Sequence, residues 1–292
     1  MNDRQPLDAF DALRSQLRGI AYRMLGSLSE ADDAVQETWL RLQRSDAAAI
    51  ENLGGWLRTV ISRICLNMIR DRQHRLADPL DAFHPEPVIS QEAGSDPEYE
   101  ALLADAVGFA LQVVLSELTP AERLAFVLHD MFAVPFGDIA EMLERSPDAT
   151  RQLASRARRR VRGATPLPDP DIERQRRVVD AYFAASREGD IDALIGILDP
   201  EVVLRAHRSG SEPLVLRGAG NVAGGALAAR QHAAHVQPVL VNGSAGVVAF
   251  DDGRPFAILA FTVVNDRAVA IDIFNDAEHV PRLLARHTHP DS

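Results

Sequence analysis

The residues of this 292-residue chain best suited to chemistry are arginines gathered on one predicted helix. Seven arginines and a single acid, Asp148, lie between residues 145 and 162, although the whole chain has a net charge of −11. Arginine and glutamine carry the donors that pair with guanine and adenine edges in the DNA major groove. The exposed face of this helix comprises Arg151, Gln152, Ser155, Arg156, Arg159 and Arg160. This local positive charge predicts a DNA-reading helix within an acidic protein.

Two further helices with polar faces are predicted near the N-terminus. Apolar residues at spacings of three and four define the buried stripe of the first helix: Leu28, Ala31, Val35, Trp39 and Leu42. A neighbouring face of the same helix is mostly acidic and holds Asp32, Asp33, Gln36 and Glu37. The second helix covers about Gly55–Asp71, and its polar side holds Arg58, Arg63, Asn67 and Arg70.

Other candidate sites have simpler interpretations. Gly218–Ala223 is similar to a degenerate dinucleotide fingerprint, but no acid follows about 20 residues later, so we interpret it as a helix start. His207, His232 and His235 lack a paired carboxylate motif, and we interpret them as structural or surface residues. The sequence has no nucleophile elbow and no H-E-x-x-H motif. We therefore predict no catalytic residues, no metal site and no cofactor.

Composition excludes several further classes of protein. All 31 basic residues are arginine, which excludes a P-loop lysine and a lysine Schiff base. Cys65 is the only cysteine, so intrachain disulfides are excluded. No apolar stretch reaches the ~20 residues that cross a bilayer, and the N-terminus does not resemble a signal peptide. We expect a cytoplasmic protein that does not contact a membrane.

Proline-rich stretches divide the chain into three predicted folded pieces. An acidic linker over 76–97 and a stiffer proline-rich linker over 163–171 separate residues 1–75, 98–162 and 172–286. The first two pieces show only helical periodicity, and the second ends in the pattern of a helix-turn-helix. The third has two helices, then strand-like runs and a closing helix, which predicts an α+β domain with a mostly antiparallel sheet.

Three segments of the first two pieces closely resemble extracytoplasmic-function sigma factors, the dissociable promoter-recognition subunits of bacterial RNA polymerase. The segments are LRGIAYRMLGSLSEADDAVQETWLRL (17–42), LGGWLRTVISRICLNMIRDRQHR (53–75) and LTPAERLAFVLHDMF with FGDIAEMLERSPDATRQLASRARRRVR (118–162). Residues 172–286 look like the SnoaL-like, NTF2-like domain that a subset of these factors carries. The resemblance implies a multidomain protein with an all-α region 2 bundle, an all-α region 4 helix-turn-helix and a C-terminal α+β cone.

The resemblance also implies partners and residue roles. Asp32, Asp33, Gln36 and Glu37 would dock on the clamp helices of core RNA polymerase. Arg58, Arg63, Asn67 and Arg70 would melt and read the minus-ten element of promoter DNA, while the Arg44–Gly55 loop holds a flipped base. Arg151, Gln152, Ser155 and Arg156 would read the minus-thirty-five element, and Arg159 and Arg160 are expected to contact phosphates. The acidic linker would thread through the polymerase.

Some residues depart from the pattern of the family. Glu144 stands where the helix-turn-helix commonly has glycine, and three further motifs match only in part: Phe83–Pro87, His207–Ser211 and Asn275–His279. We expect the C-terminal domain to pack against the sigma domains and to regulate them in cis. Two alternatives remain open: an active SnoaL-type enzyme with Tyr182, His207 and Asp272 in its pocket, and a ligand-sensing helix-turn-helix regulator.

Overall fold

Three helices form the N-terminal piece of the molecule. The computed structural model describes residues 4–46, 49–75, 85–90, 108–164, 168–207, 213–233, 235–275 and 279–288. The three helices are α1 (Arg4–Leu25), α2 (Leu28–Arg44) and α3 (Leu53–Arg75). The predicted stripe of α2 is buried except at Trp39, which is half-buried because its ring packs against Phe10, 5.0 Å away between ring centroids.

The second piece is a helix-turn-helix, as predicted. Its helices are α4 (Gly108–Glu117), α5 (Pro120–Phe126), which continues through a π turn at Val127–Met131, α6 (Phe136–Leu143) and α7 (Pro147–Ala164). Ser146 begins α7, since its hydroxyl accepts a hydrogen bond from the Ala149 amide at 3.2 Å. Glu144 closes the turn before α7 in the left-handed conformation, with φ +53°. A non-glycine residue therefore supports this turn.

The C-terminal piece is an α+β domain. Its elements are α8 (Ile172–Glu188), α9 (Ile191–Ile197), β2 (Leu198–His207), β3 (Leu214–Arg217), α10 (Ala219–Ala228), β4 (Val236–Val241), β5 (Ser244–Asp251), β6 (Arg254–Val264), β7 (Arg267–Phe274) and α11 (His279–Thr288). With β1 (Ile89–Ser90) at one edge, the strand order is β1-β4-β5-β6-β7-β2-β3, and all pairs are antiparallel except β2–β7. Gly218 precedes α10 with φ +86°, so the Gly218–Ala223 segment begins a helix, as predicted.

The first strand of this sheet comes from the predicted acidic linker. Strand β1 (Ile89–Ser90) pairs with β4, with Ile89 opposite Val241 and Ser90 opposite Leu240. Val88 and Ile89 are buried. The described part of the linker is therefore extended, as predicted, but it also belongs to the C-terminal sheet.

Three apolar clusters hold these pieces together. The first cluster joins α1 to α3 with α5 to α7 through residues such as Leu17, Leu57 and Leu124. The second lies between α8 to α10 and one face of the sheet. The third covers the opposite face of the sheet with Phe109 and Val113 of α4 and with residues of β1 and α11. Among the described residues, no helix is both long enough and apolar enough to cross a membrane.

Candidate nucleic-acid interface and the junction between domains

The predicted DNA-reading face lies on the surface of α7. Arg151, Gln152, Ser155 and Arg159 are exposed, while Leu153 and Ala157 on the opposite side are buried. The Arg151 guanidinium pairs with Asp148 at 2.5 Å and lies 5.8 Å from the centre of the Phe136 ring. This face can thus present donors to a nucleic acid from a rigid helix.

Two arginines of the same helix turn back toward Glu122. Arg156 Nε donates to Glu122 Oε1 at 3.0 Å, and Arg160 Nη1 lies 3.5 Å from Glu122 Oε2. The Glu122 side chain is only 8% exposed, and it also forms a capping box with Thr119. Burial raises the pKa of Glu122, but hydrogen bonds from Thr119 and Arg156 outweigh burial and hold it below the ordinary value. Glu122 therefore stays charged and positions both arginines.

Sequence reasoning missed this role of Glu122. The T-x-x-E spacing from Thr119 to Glu122 signals a capping box, but it does not reveal the arginines of α7. Arg156 and Arg160 nevertheless remain about as exposed as Arg151, so Glu122 orients them without removing them from the surface.

The polar side of α3 is also at the surface. Arg63, Asn67 and Arg70 are exposed, and Arg70 Nη1 donates to Asn67 Oδ1 at 3.3 Å. Arg58 is partly buried. Within the preceding loop, residues 47 and 48 lie outside the described part of the chain. Arg63, Asn67 and Arg70 thus share one exposed side of α3, and Arg58 lies apart from them nearer the start of the helix.

The acidic face of α2 is solvent-facing but partly neutralised. Asp32 accepts two hydrogen bonds from Arg18 of α1, at 2.6 and 3.0 Å. Glu37 accepts one from Arg41 at 2.9 Å, while Asp33 and Gln36 are exposed. Asp33 is therefore the most available carboxylate of this face, whereas Asp32 and Glu37 each pair with an arginine of this chain.

The three residues proposed for a pocket do not form one site. His207 Nε2 lies 3.1 Å from Asp272 Oδ1, and the His207 ring stacks on Phe274. Tyr182 instead packs against Phe261 in the cluster on the other face of the sheet, and burial raises its pKa. Successive strand residues point to opposite faces of the sheet, so His207 and Asp272 point away from the cluster that contains Tyr182. The sheet therefore separates Tyr182 from the other two residues. The grouping expected from the sequence was wrong in this respect.

A buried polar network joins α1, the linker and the sheet, and we call it the Asn242 junction. Asn242 Oδ1 accepts from the Val88 amide at 2.8 Å, and Asn242 Nδ2 donates to the Tyr22 hydroxyl oxygen at 2.8 Å. The Tyr22 hydroxyl donates to the Glu86 carbonyl at 2.9 Å. The Asn242 amide donates to the Val88 carbonyl at 2.7 Å, and the Glu86 amide donates to the Gly26 carbonyl at 2.7 Å.

A buried arginine makes a second connection between helices of different pieces. Arg123 is 5% exposed, and it donates to the Met24 carbonyl at 2.6 Å and to the Ser116 carbonyl at 2.7 Å. Burial and then the charge of Arg72 lower the pKa of Arg123 to about 10, so it remains charged at neutral pH. Arg123 thereby satisfies carbonyls near the C-terminal ends of α1 and α4.

Comparisons with known proteins identify the family of the two helical pieces. Two family models match: Sigma-70 region 2 over residues 9–75 and Sigma-70, region 4 over residues 108–161. The ECF RNA polymerase sigma factor SigJ of Mycobacterium tuberculosis (strain ATCC 25618 / H37Rv) is 41% identical over 210 residues, covering 71% of this chain and 67% of SigJ. The probable ECF RNA polymerase sigma factor SigI of M. tuberculosis (strain CDC 1551 / Oshkosh) is 32% identical over 277 residues, 94% of each chain.

A solved structure extends the match to the C-terminal domain. The crystal structure of the M. tuberculosis extracytoplasmic function sigma factor SigJ superposes with a TM-score of 0.76 at 33% identity. The superposition covers 96% of this chain and 99% of that one. The α+β domain and its place after the two helical pieces are thus shared with a solved relative.

Proposed function

This chain belongs to the extracytoplasmic-function sigma factors, which direct transcription initiation by RNA polymerase, and we propose that its C-terminal domain controls that activity in cis. The observation that carries the proposal is the Asn242 junction, which ties α1 and the linker to the C-terminal sheet. Its contacts are buried and hydrogen-bonded, so they must be broken before the linker can leave the sheet.

The two helical pieces share one apolar cluster, and this explains how the Asn242 junction affects promoter binding. Helices α1 and α3 pack against α5 to α7 in one apolar cluster, and Arg23 of α1 lies 5.2 Å from the centre of the Phe132 ring. We call this the closed arrangement. The minus-ten and minus-thirty-five elements are about 25 base pairs apart, which is roughly 85 Å at about 3.4 Å per base pair. The DNA-contacting sides of α3 and α7 belong to helices that share one apolar cluster, so they cannot span that length. Promoter binding therefore requires the closed arrangement to open.

The C-terminal domain is placed to oppose this opening. It holds the linker through β1, and it covers Phe109 and Val113 of α4 with the sheet. The proline-rich linker after α7 keeps the domain at an effective concentration that is roughly millimolar, so weak contacts are sufficient. The domain therefore shifts the population toward the closed arrangement.

The predicted surface residues take their roles within this scheme. Asp32, Asp33, Gln36 and Glu37 bind core polymerase; Arg58, Arg63, Asn67 and Arg70 contact the minus-ten element. Arg151, Gln152, Ser155 and Arg156 read upstream bases, while Arg159 and Arg160 contact phosphates. The protein then acts where RNA polymerase is, in the cytoplasm.

The curated relatives are sigma factors rather than enzymes, and the separation of Tyr182 from His207 does not favour catalysis.

Removal of the domain tests the proposal. A protein truncated after residue 165 should associate with core polymerase more tightly than the full chain and should give a different run-off transcription yield at limiting core. Circular dichroism and sedimentation must show that the truncated protein is folded and monomeric, because truncation uncovers Phe109 and Val113. Identical association and identical yield over a range of core concentrations would refute regulation in cis.

A further inference from the structure

A cavity of about 510 Å³ lies between α4 and the outer strands of the C-terminal sheet. Its floor is made of β2 and β3, and its other walls come from α4, from Pro85 of the linker and from Gly163 at the end of α7. Small-molecule sites in proteins have volumes of roughly 300–1,000 Å³. The cavity is therefore large enough for a small ligand, and its walls come from different domains.

The strand register places two arginines side by side on the cavity floor. Val203 is opposite Arg217 and Arg205 is opposite Val215, and all four side chains line the cavity. The two arginines are thus diagonal neighbours on one face, with Cα atoms about 7–8 Å apart. Guanidinium groups at this spacing can donate hydrogen bonds to one carboxylate from two sides, since each carries several N–H donors in one plane. The two valines make the rest of the floor apolar.

Arg205 lines the cavity with only a small part of its side chain exposed. Its side chain is 15% exposed, and its Nη1 atom lies 3.6 Å from Asp272 Oδ1, which His207 also contacts. Nη1 is fully buried, and within the described part of the chain it has no hydrogen-bond acceptor. Nη1 therefore belongs to the contact with buried Asp272, and a ligand in the cavity would meet the exposed part of the Arg205 side chain instead.

The remaining walls favour an amphipathic ligand over a purely ionic one. Val113 of α4 faces the cavity with Val203 and Val215, which offers hydrocarbon contacts. Glu117 is the lining carboxylate of α4 and is exposed, so an acid group would avoid the α4 side and approach the arginines of the floor.

We propose that this cavity binds a small amphipathic carboxylate, with its acid group between Arg205 and Arg217 and its hydrocarbon part along Val113, Val203 and Val215. The cavity exists only while α4 remains packed against the C-terminal sheet, because its walls come from both. A bound carboxylate consequently stabilises the closed arrangement and lowers association with core polymerase. This second effect rests on the proposed regulation in cis, whereas binding itself does not.

Calorimetric titration of the full chain with octanoate tests the site. Octanoate should bind saturably, and Arg205→Gln and Arg217→Gln should each weaken binding roughly tenfold or more, since a hydrogen bond to a charged group is lost. Arg267→Gln is the matched control, because Arg267 is an exposed arginine of the same sheet outside the cavity lining, and it should bind as the wild type does. Arg217 is exposed, so its variant tests the site even where loss of Arg205 disturbs folding.

The outcomes separate the site from its coupling. Absence of saturable octanoate binding, or equal binding by the wild type and Arg217→Gln, would overturn the site while leaving regulation in cis untouched. If inorganic phosphate bound and octanoate did not, the assignment of an amphipathic carboxylate as the ligand would be overturned. Octanoate should also reduce core association of the wild type but not of Arg217→Gln, and equal core association with and without octanoate would overturn the coupling.

Discussion

Replacement of Asn242 by glycine should loosen the closed arrangement and leave the local hairpin intact. Asn242 and Gly243 form the two-residue turn between β4 and β5, and Asn242 has φ +49°. Glycine adopts positive φ without steric cost, so the turn should close normally. The backbone hydrogen bond from the residue 242 amide to Val88 can persist, and only the side-chain contacts are lost.

The size of the effect follows from the two contacts removed. The Val88 amide loses an acceptor at 2.8 Å, and the Tyr22 hydroxyl loses a donor at 2.8 Å. A buried hydrogen bond contributes about 0.5–1.5 kcal/mol net, so the two together contribute about 1–3 kcal/mol. This corresponds to a decrease of roughly 5- to 150-fold in the ratio of closed to open molecules.

Hydrogen exchange and core binding would measure this change. Amides of residues 85–90 should exchange faster in Asn242→Gly than in the wild type, because β1 leaves the sheet more often. The affinity for core polymerase should rise by up to the same factor, since a larger fraction of molecules is competent to bind.

A matched control makes the experiment decisive. Asn265 also has positive φ, +51°, lies in the turn between β6 and β7 and is exposed. Asn265→Gly therefore makes the same chemical change away from the linker and should behave as the wild type does. Equal exchange of residues 85–90 and equal core affinity in the two glycine variants would refute the role of the Asn242 junction.

Two further predictions concern the predicted surfaces, and a third concerns buried Glu122. Charge reversal at Asp33 and Glu37 should weaken association with core polymerase in a native gel shift without changing the circular dichroism spectrum, and unchanged association would contradict the polymerase-binding face. Arg151→Ala should lose about 1–3 kcal/mol of discrimination at particular upstream bases, whereas Arg159→Ala should weaken binding uniformly and reduce the salt dependence; a promoter scan in which both behave alike would count against this docking. Glu122→Gln should lower the free energy of unfolding by about 1–2 kcal/mol at neutral pH. Because the folded-state pKa of Glu122 is lowered, its contribution is complete above the unfolded pKa and is lost as pH falls through the folded one, so a thermal-unfolding difference that stays constant into acid would contradict this role.

Features of the fold that depend on neighbouring residues could be predicted from the sequence. The helix Ile172–Glu188 is bounded by local signals, because Asp171 accepts a hydrogen bond from the Arg174 amide at its start and Gly189 ends it with φ +78°. The start of α7 is fixed in the same way, by a cap from Ser146. Caps and turns are short-range, so a single sequence contains their whole signal.

Contacts between distant residues could not be predicted in this way. Asn242 is 154 residues from Val88 and 220 residues from Tyr22, and the sequence reveals only that Asn242-Gly243 suits a hairpin turn. Strand periodicity alone likewise did not show that Tyr182 and His207 lie on opposite sides of the sheet. Nothing local to α7 indicates that Arg156 meets Glu122, 34 residues earlier.

Helix α4 determines what opening of the closed arrangement must cost. Every residue from Gly108 to Leu115 is buried, and such an all-round apolar helix needs partners on both sides. Leu111 and Leu115 face the cluster of the sigma helices, whereas Phe109 and Val113 face the sheet. Release of α4 from either neighbour exposes apolar side chains, at about 1.5–3 kcal/mol for each large one. Exposure of such a surface to water is unfavourable, so opening costs free energy unless another apolar surface replaces the one that is lost. Under the proposed regulation in cis, we expect polymerase to supply that surface, in competition with the C-terminal domain for the faces of α4.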